Sequence, residues 1–177
     1  MEKREKLKIV ENAIGTYSDF PKPGIIFRDI FGVCQNVVAF RALRDLIVEH
    51  VMFLEVDIIV GLDSRGFLFG PLISLELGKP FVPIRKKGKL PGHVLQQSFV
   101  LEYGEDYFEI QTNSISEEKR VLIVDDLLAS GGTMAAAVKL LKTLHAEVVE
   151  CLVIMELKNL DGRSKVDAPV YSFIEYN

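Results

Sequence analysis

The sequence predicts an α/β domain in which a mostly parallel sheet is flanked by helices. Three observations carry this reading. Strands and helices alternate three times along the chain, as parallel pairing with helical crossovers requires. The run Val121-Leu122-Ile123-Val124 is apolar without alternation, the pattern of a strand buried on both faces. At 177 residues, with 49% hydrophobic and 26% charged side chains, the chain can bury one real core and is not of disordered composition. No linker, internal repeat or low-complexity segment divides it, so residues 1–177 are expected to form a single domain.

Residues 2–16 read as an amphipathic helix with Leu7, Val10, Ile14 and Ala13 towards one face. The stretch Asp19-Phe20-Pro21-Lys22-Pro23-Gly24-Ile25-Ile26-Phe27-Arg28-Asp29 has turn chemistry at Pro23-Gly24, and two phenylalanines too large to expose without reason. On its own it reads as a capping loop, with Arg28 paired to Asp29 or Asp19. A second helix spans 37–54, its core stripe made by Phe40, Leu43, Leu46, Ile47 and Val51.

Val56–Val60 is a short buried strand, followed by the polar turn Gly61-Leu62-Asp63-Ser64-Arg65-Gly66 and a helix from Phe67 to Leu77 that stops at Gly78. Arg65 in that turn offers a fork of donors to phosphate oxygens; the plainer alternative is a surface pair with Asp63. Phe81–Ile84 is a third strand. After it, Arg85, Lys86, Lys87 and Lys89 crowd among Gly88, Pro91 and Gly92, and no regular element is expected from Lys86 to about Gln97. Such a run is often a solvated surface. In an acidic protein, beside two candidate phosphate turns, it reads as a lid held open by its own repulsion and drawn shut by a polyanion. Ser98–Tyr103 and Tyr107–Gln111 then form a hairpin turning near Gly104.

The most informative stretch is Val121–Thr133: the apolar strand, the pair Asp125-Asp126, the turn Ala129-Ser130-Gly131-Gly132-Thr133, and a helix from Met134. The glycines let backbone approach a ligand, successive N–H groups ahead of a helix cradle a phosphate, and Ser130 and Thr133 add hydroxyl donors. Two carboxylates would repel a phosphate, so Asp125 and Asp126 suit sugar hydroxyls. The plain alternative is a tight connection in which Ser130 or Thr133 caps the helix. Val148–Met155 is the last buried strand, Asp161-Gly162-Arg163 a turn, and Val170–Ile174 an edge strand.

Val121–Thr133 resembles the phosphoribosyl pyrophosphate (PRPP) signature of the type I phosphoribosyltransferases. With Gly61–Phe67, Ile84–Gly92 and Leu101–Gly104, the chain is similar to the adenine phosphoribosyltransferase family from about Phe20 onwards. Ser130 stands where that family usually has Thr, and the hydroxyl survives. The resemblance implies the type I phosphoribosyltransferase fold, with a small N-terminal hood at about 18–35 over the purine and a flexible lid loop at about 85–104. It implies transfer of phosphoribose from PRPP to adenine, giving AMP and pyrophosphate. Ile26 and Arg28 would touch adenine through their backbone and Leu157 by apolar contact; Arg65, Arg85 and Lys89 would take pyrophosphate. Glu102 would shuttle a proton at the base, and Tyr103 would hold the loop closed. It further implies a cis peptide in the Asp63-Ser64 turn, a homodimer, and Mg²⁺ carried on pyrophosphate and ribose oxygens with no direct protein ligand.

A net charge of −4 argues against a nucleic-acid partner. Cys34 and Cys151 form no CxxC pair, and His50, His93 and His145 are scattered, so neither a disulfide framework nor a metal cluster is expected. The N-terminal residues carry no signal pattern, and no apolar run nears the ~20 residues of a membrane span; a cytoplasmic protein is expected. Two rivals share the PRPP motif: transfer to hypoxanthine, guanine or xanthine, since the motif does not read the base, and a non-catalytic PRPP-sensing regulator. Neither GxGxxG nor a Walker A motif is present, which disfavours nucleotide-cofactor chemistry.

Overall fold

Two bodies build up along the chain, Met1–Phe53 and Leu54–Asn177. The computed structural model describes residues 1–101 and 104–177.

In the first body, α1 (Lys3–Ala13) and α3 (Val37–Val51) carry the apolar stripes expected of them: Val10 and Ile14 on or beside one, Leu43, Leu46, Ile47 and Val51 on the other, all buried. Asn36 caps α3, its Oδ1 accepting the N–H groups of Val38 and Ala39 at 3.0 and 3.2 Å. One position departs from the pattern. Lys6 is buried rather than solvated, because its ammonium pairs with Glu49 of α3. Between the helices lie a two-stranded antiparallel ribbon, β1 (Gly15–Ser18) and β2 (Ile26–Asp29), and the short α2 (Phe31–Gln35). The end of the segment read as a capping loop, Ile26–Asp29, is therefore a ribbon strand, and residues 19–25 are the loop that joins it to β1. Its cross-strand pairing satisfies backbone groups that local sequence leaves unassigned.

The second body is a seven-stranded sheet in the order β5-β6-β4-β3-β7-β8-β9. Its strands are β3 (Ile58–Leu62), β4 (Phe81–Lys86), β5 (Val94–Leu101), β6 (Gly104–Gln111), β7 (Arg120–Leu128), β8 (Glu147–Leu157) and β9 (Val170–Tyr176). The pairs β4–β3, β3–β7, β7–β8 and β8–β9 are parallel; β6 joins β4 and β5 antiparallel at one edge. β9 lies at the other edge, as expected. Two helices complete the body, α4 (Gly70–Leu77) after a 3₁₀ turn at Arg65–Leu68, and α5 (Gly132–Thr143). α4 ends at Gly78 in the left-handed region, where the Lys79 N–H reaches the Ser74 carbonyl. One sheet face packs Val60, Leu62, Val121, Ile123 and Val153 with Met134, Ala137 and Leu141 of α5.

Three expectations need correction. β7 does not end before the acids but runs on through Asp125 and Asp126 to Leu128, because β8 keeps pairing with it as far as Glu156. The first arm of the hairpin begins at Val94, not Ser98. Val94 and Leu95 pair with Gln111 and Ile110, and Gln96 and Gln97 continue the ladder to Glu109 and Phe108 on β6 despite their polar side chains. The stretch without regular structure after β4 is therefore short. Nor is Phe20 sheltered: it is 53% exposed, with the edge of Phe27 against it, ring centroids 5.0 Å apart.

Candidate active site

β3 and β7 are parallel neighbours whose connections leave in opposite directions: β3 leads through α4 to β4 on one side, β7 through α5 to β8 on the other. Strand order reverses between them, and the crevice beyond the carboxyl ends of such strands is where open α/β sheets bind ligands. Both polar turns picked out in the sequence leave the sheet at this point. β3–β7 pairing stops at Gly61–Val124, so the chain at Asp63–Gly66 and the carboxyls after Val124 come together. Gly66 is what permits the approach: a Cβ there would stand 2.5 Å from the Val124 carbonyl oxygen and 3.5 Å from Asp125 Oδ1.

The Asp63–Ser64 peptide bond is cis, as the resemblance implies. Asp63 holds Arg85, whose Nε donates to its Oδ2 at 2.9 Å, while Phe67 lies under the same guanidinium at 5.9 Å. Arg65 meets Asp126. Its Nε lies 2.9 Å from Asp126 Oδ2 as an ion pair, off the direction of a hydrogen bond. Both arginines are about one-third exposed and held by carboxylates, which pre-orients their forks for an anion.

The acids differ in their surroundings. Asp126 is 2% exposed and turned onto Arg65; Asp125 is half-buried, its Oδ1 accepting the Asp126 N–H at 2.9 Å. Burial pushes the Asp125 carboxyl well above the usual carboxylate range, and the neighbouring Asp126 charge adds to this. Burial also raises Asp126, with Arg65 opposing. Asp125 is thus the more accessible partner for a hydroxyl.

The glycine turn follows. Gly131 has φ +81° and stands at the N-cap of α5, where no side chain caps the helix. The plain alternative, Ser130 or Thr133 spent as a cap, is not what the chain adopts. Ser130 is exposed, while Ala129, Gly132 and Thr133 are half-buried. The first N–H groups of α5 are therefore not taken by a capping side chain, an arrangement that suits an anion. The turn is shaped by a residue the sequence reading passed over: a Cβ on Gly131 would overlap the Gly162 carbonyl oxygen. The signal was present as a glycine inside Asp161-Gly162-Arg163, but nothing local says what it touches.

The basic run is less free than its charge suggests. Lys86 lies 3.4 Å from Asp106, and Lys87 sits 4.8 Å from the centre of the Tyr107 ring. Glu109, 1% exposed, accepts the N–H groups of Lys89 and Leu90 at 2.9 and 2.8 Å and the Gln96 amide at 3.2 Å. Burial works to raise its carboxyl, but these bonds outweigh it and hold the group below its usual range. Repulsion among cations is therefore not what sets this loop; neighbouring acids and one buried glutamate are. The Lys89 side chain is exposed and Leu157 is half-buried at the end of β8. Glu102 and Tyr103 lie outside the described residues.

In the first body, Ile26 is 54% exposed, and Arg28 donates to Thr16 Oγ1 at 2.9 Å across the ribbon. A cavity of ≈ 590 Å³ there is lined by Tyr17, Phe20, Phe27 and Phe31 with Ser18, Asp19 and Asp29. Among the described residues, no group of three His, Cys, Asp or Glu side chains converges to hold a metal ion.

Known proteins agree with this geometry. A family model, the phosphoribosyl transferase domain, matches residues 35–177. The adenine phosphoribosyltransferase of Drosophila pseudoobscura pseudoobscura is 51% identical over 174 residues, covering 97% of this chain and 96% of its own. The human adenine phosphoribosyltransferase is 48% identical over 175 residues, with 97% of each chain covered. The Saccharomyces cerevisiae enzyme, solved with adenine and an imino-altritol bisphosphate, superposes with a TM-score of 0.93 at 43% identity over 96% of this chain and 99% of its own. By sequence and by fold, the chain belongs to the adenine phosphoribosyltransferase family.

Proposed function

We propose that this chain transfers the phosphoribosyl group of PRPP to adenine, giving AMP and pyrophosphate. The observation that carries the reading is the strand, acid pair, glycine turn and uncapped helix assembled at the sheet's switch point. Its chemistry divides naturally. The N–H groups from Ala129 to Thr133, with the Ser130 and Thr133 hydroxyls, take the 5′-phosphate. Asp125 and Asp126 accept from ribose hydroxyls. Arg65, Arg85 and Lys89 take the pyrophosphate. The adenine assignment draws on the relatives' names and on the adenine bound to the yeast enzyme.

In the reaction, the C1′ bond to pyrophosphate oxygen breaks, its electrons leaving with pyrophosphate. A bond from a ring nitrogen of adenine to C1′ forms, and the proton of the base is lost. Positive charge develops on the sugar between these events, as at other glycosyl centres. The protein contributes position, charge for the departing pyrophosphate and exclusion of water. Glu102 is assigned as the proton acceptor and Tyr103 as a contact of the closed loop. Ile26 and Arg28, on a ribbon strand with a free edge, are assigned backbone contacts to the base, and Leu157 an apolar one.

The residues present fit Mg²⁺ carried by its substrate: Asp125 and Asp126, the carboxyls assigned to the ribose, are hard oxygen donors beside the position proposed for PRPP. When bound, the ion neutralises charge on the leaving group. We further propose a cytoplasmic homodimer without nucleic-acid partners. No helix among the described residues is long and apolar enough to cross a membrane.

The test offers adenine, hypoxanthine, guanine and xanthine separately, with PRPP and Mg²⁺, and quantifies nucleotide and pyrophosphate. AMP from adenine alone is expected. Turnover of an oxopurine instead would overturn the base assignment, and PRPP binding without turnover of any base would favour a regulator.

A further inference from the structure

The turn after β8 takes no part in the reaction as proposed, yet it is pressed against the phosphate turn. A Cβ on Gly162 would overlap the Ala129 carbonyl oxygen and stand 2.8 Å from the Gly131 nitrogen; a Cβ on Gly131 would overlap the Gly162 carbonyl oxygen. With backbone packed on backbone this closely, the turn at 129–131 cannot move towards residue 162, and a shift of residue 162 towards it would displace it.

What holds Gly162 is its neighbour. Arg163 spreads its guanidinium over both sheet strands beside it. Nε donates to Glu156 Oε1 at 3.1 Å, Nη2 to Glu156 Oε2, Nη1 to the Val170 carbonyl at 2.6 Å, and Nη2 also to Ser172 Oγ at 3.2 Å. Ser172 in turn donates to Glu156 Oε2 at 2.7 Å. Glu156 is 3% exposed, so its charge is committed to this fork. The acceptors belong to β8 and β9, so the fork fastens the 162–165 turn to the sheet itself.

We propose that Arg163 and Glu156 are positioning residues for the 5′-phosphate turn, acting through Gly162 on the backbone of Ala129–Gly131. The inference rests on the reading of that turn as the phosphate site. A fork that served stability alone would, when lost, weaken every substrate alike or none.

The experiment measures PRPP binding calorimetrically with Mg²⁺ and no base, then KM and kcat for each substrate, in wild type, Arg163→Met and Arg163→Lys. The lysine variant keeps the charge without the fork, and carries the test should the unpaired Glu156 of the methionine variant prevent folding. Arg120→Met serves as the control. It removes an ion pair to Glu147 at 2.9 Å at the amino end of β7, away from the turn. Loosening the turn is expected to raise the PRPP Kd and KM about tenfold, with KM for adenine changed by less than about twofold. The lysine variant should fall between wild type and methionine. PRPP affinity unchanged in folded Arg163 variants, or weakened equally by Arg120→Met, would overturn the proposal while leaving the phosphate turn standing. A wild-type protein that does not bind PRPP would overturn both.

Discussion

Asp125 is where residue chemistry and stability conflict. An aspartate in an unfolded chain titrates near ~3.9, and burial beside Asp126 raises it well above that in the fold. Ionising it at neutral pH therefore disfavours the folded state. The penalty is absent below the unfolded value, grows as pH rises through the folded one, and is constant above. Asp125→Asn removes the charge and keeps an oxygen for the Asp126 N–H now bound at 2.9 Å. The variant should be the more stable at about pH 8, by on the order of 1 kcal/mol or ~2–4 °C in Tm, with the gap closing towards about pH 4. It should also lose about 10–100-fold in kcat/KM for PRPP, as expected when a charged acceptor to a sugar hydroxyl is replaced. Calorimetry across that pH range checks the sign. A variant less stable than its parent at the alkaline end would mean that the ionised carboxylate is net favourable, and that burial is not the dominant influence on it.

Among the elements, the segment between β4 and β5 changes most between sequence and fold. Its cations suggested a loop governed by repulsion, but Glu109 on β6 holds two of its backbone N–H groups. Neutral glutamine at this position accepts more weakly and brings a donor of its own, at a cost of about 1–3 kcal/mol. Glu109→Gln should therefore free residues 87–92, raise KM for PRPP, and increase PRPP hydrolysis relative to transfer, since a loosened cover admits water. Product analysis with and without adenine separates the two reactions. An equal fall in both would argue that this loop binds substrate without shielding it.

For the whole molecule, the determining fact is the reversal of strand order between β3 and β7, which sends two polar turns into one crevice. A site of turns, arginines and two carboxyls suits the proposal that the metal comes with the substrate. If the ion arrives with PRPP as proposed, removing divalent ions with a chelator should abolish turnover yet leave the Tm of the substrate-free protein within about 1 °C. A large fall in Tm would instead reveal a resident metal site.

Much of this was legible in one dimension. Apolar runs such as Val121–Val124 declare strands buried on both faces, Gly78 declares the end of α4, and the glycines of Asp125–Thr133 declare the turn that opens α5, because each of these depends on neighbours in sequence. The ribbon at 15–29 and the arm beginning at Val94 were not legible, since cross-strand pairing overrode weak local preference. Only the tertiary structure decided that Arg65 meets Asp126 while Arg85 meets Asp63, that Lys6 is buried, and that Gly162 shapes the phosphate turn. The physical reason is common to all four. Period and turn chemistry act over a few residues, whereas these contacts join segments far apart in the chain, and their pairing exists only once helix packing and sheet order have brought the partners together.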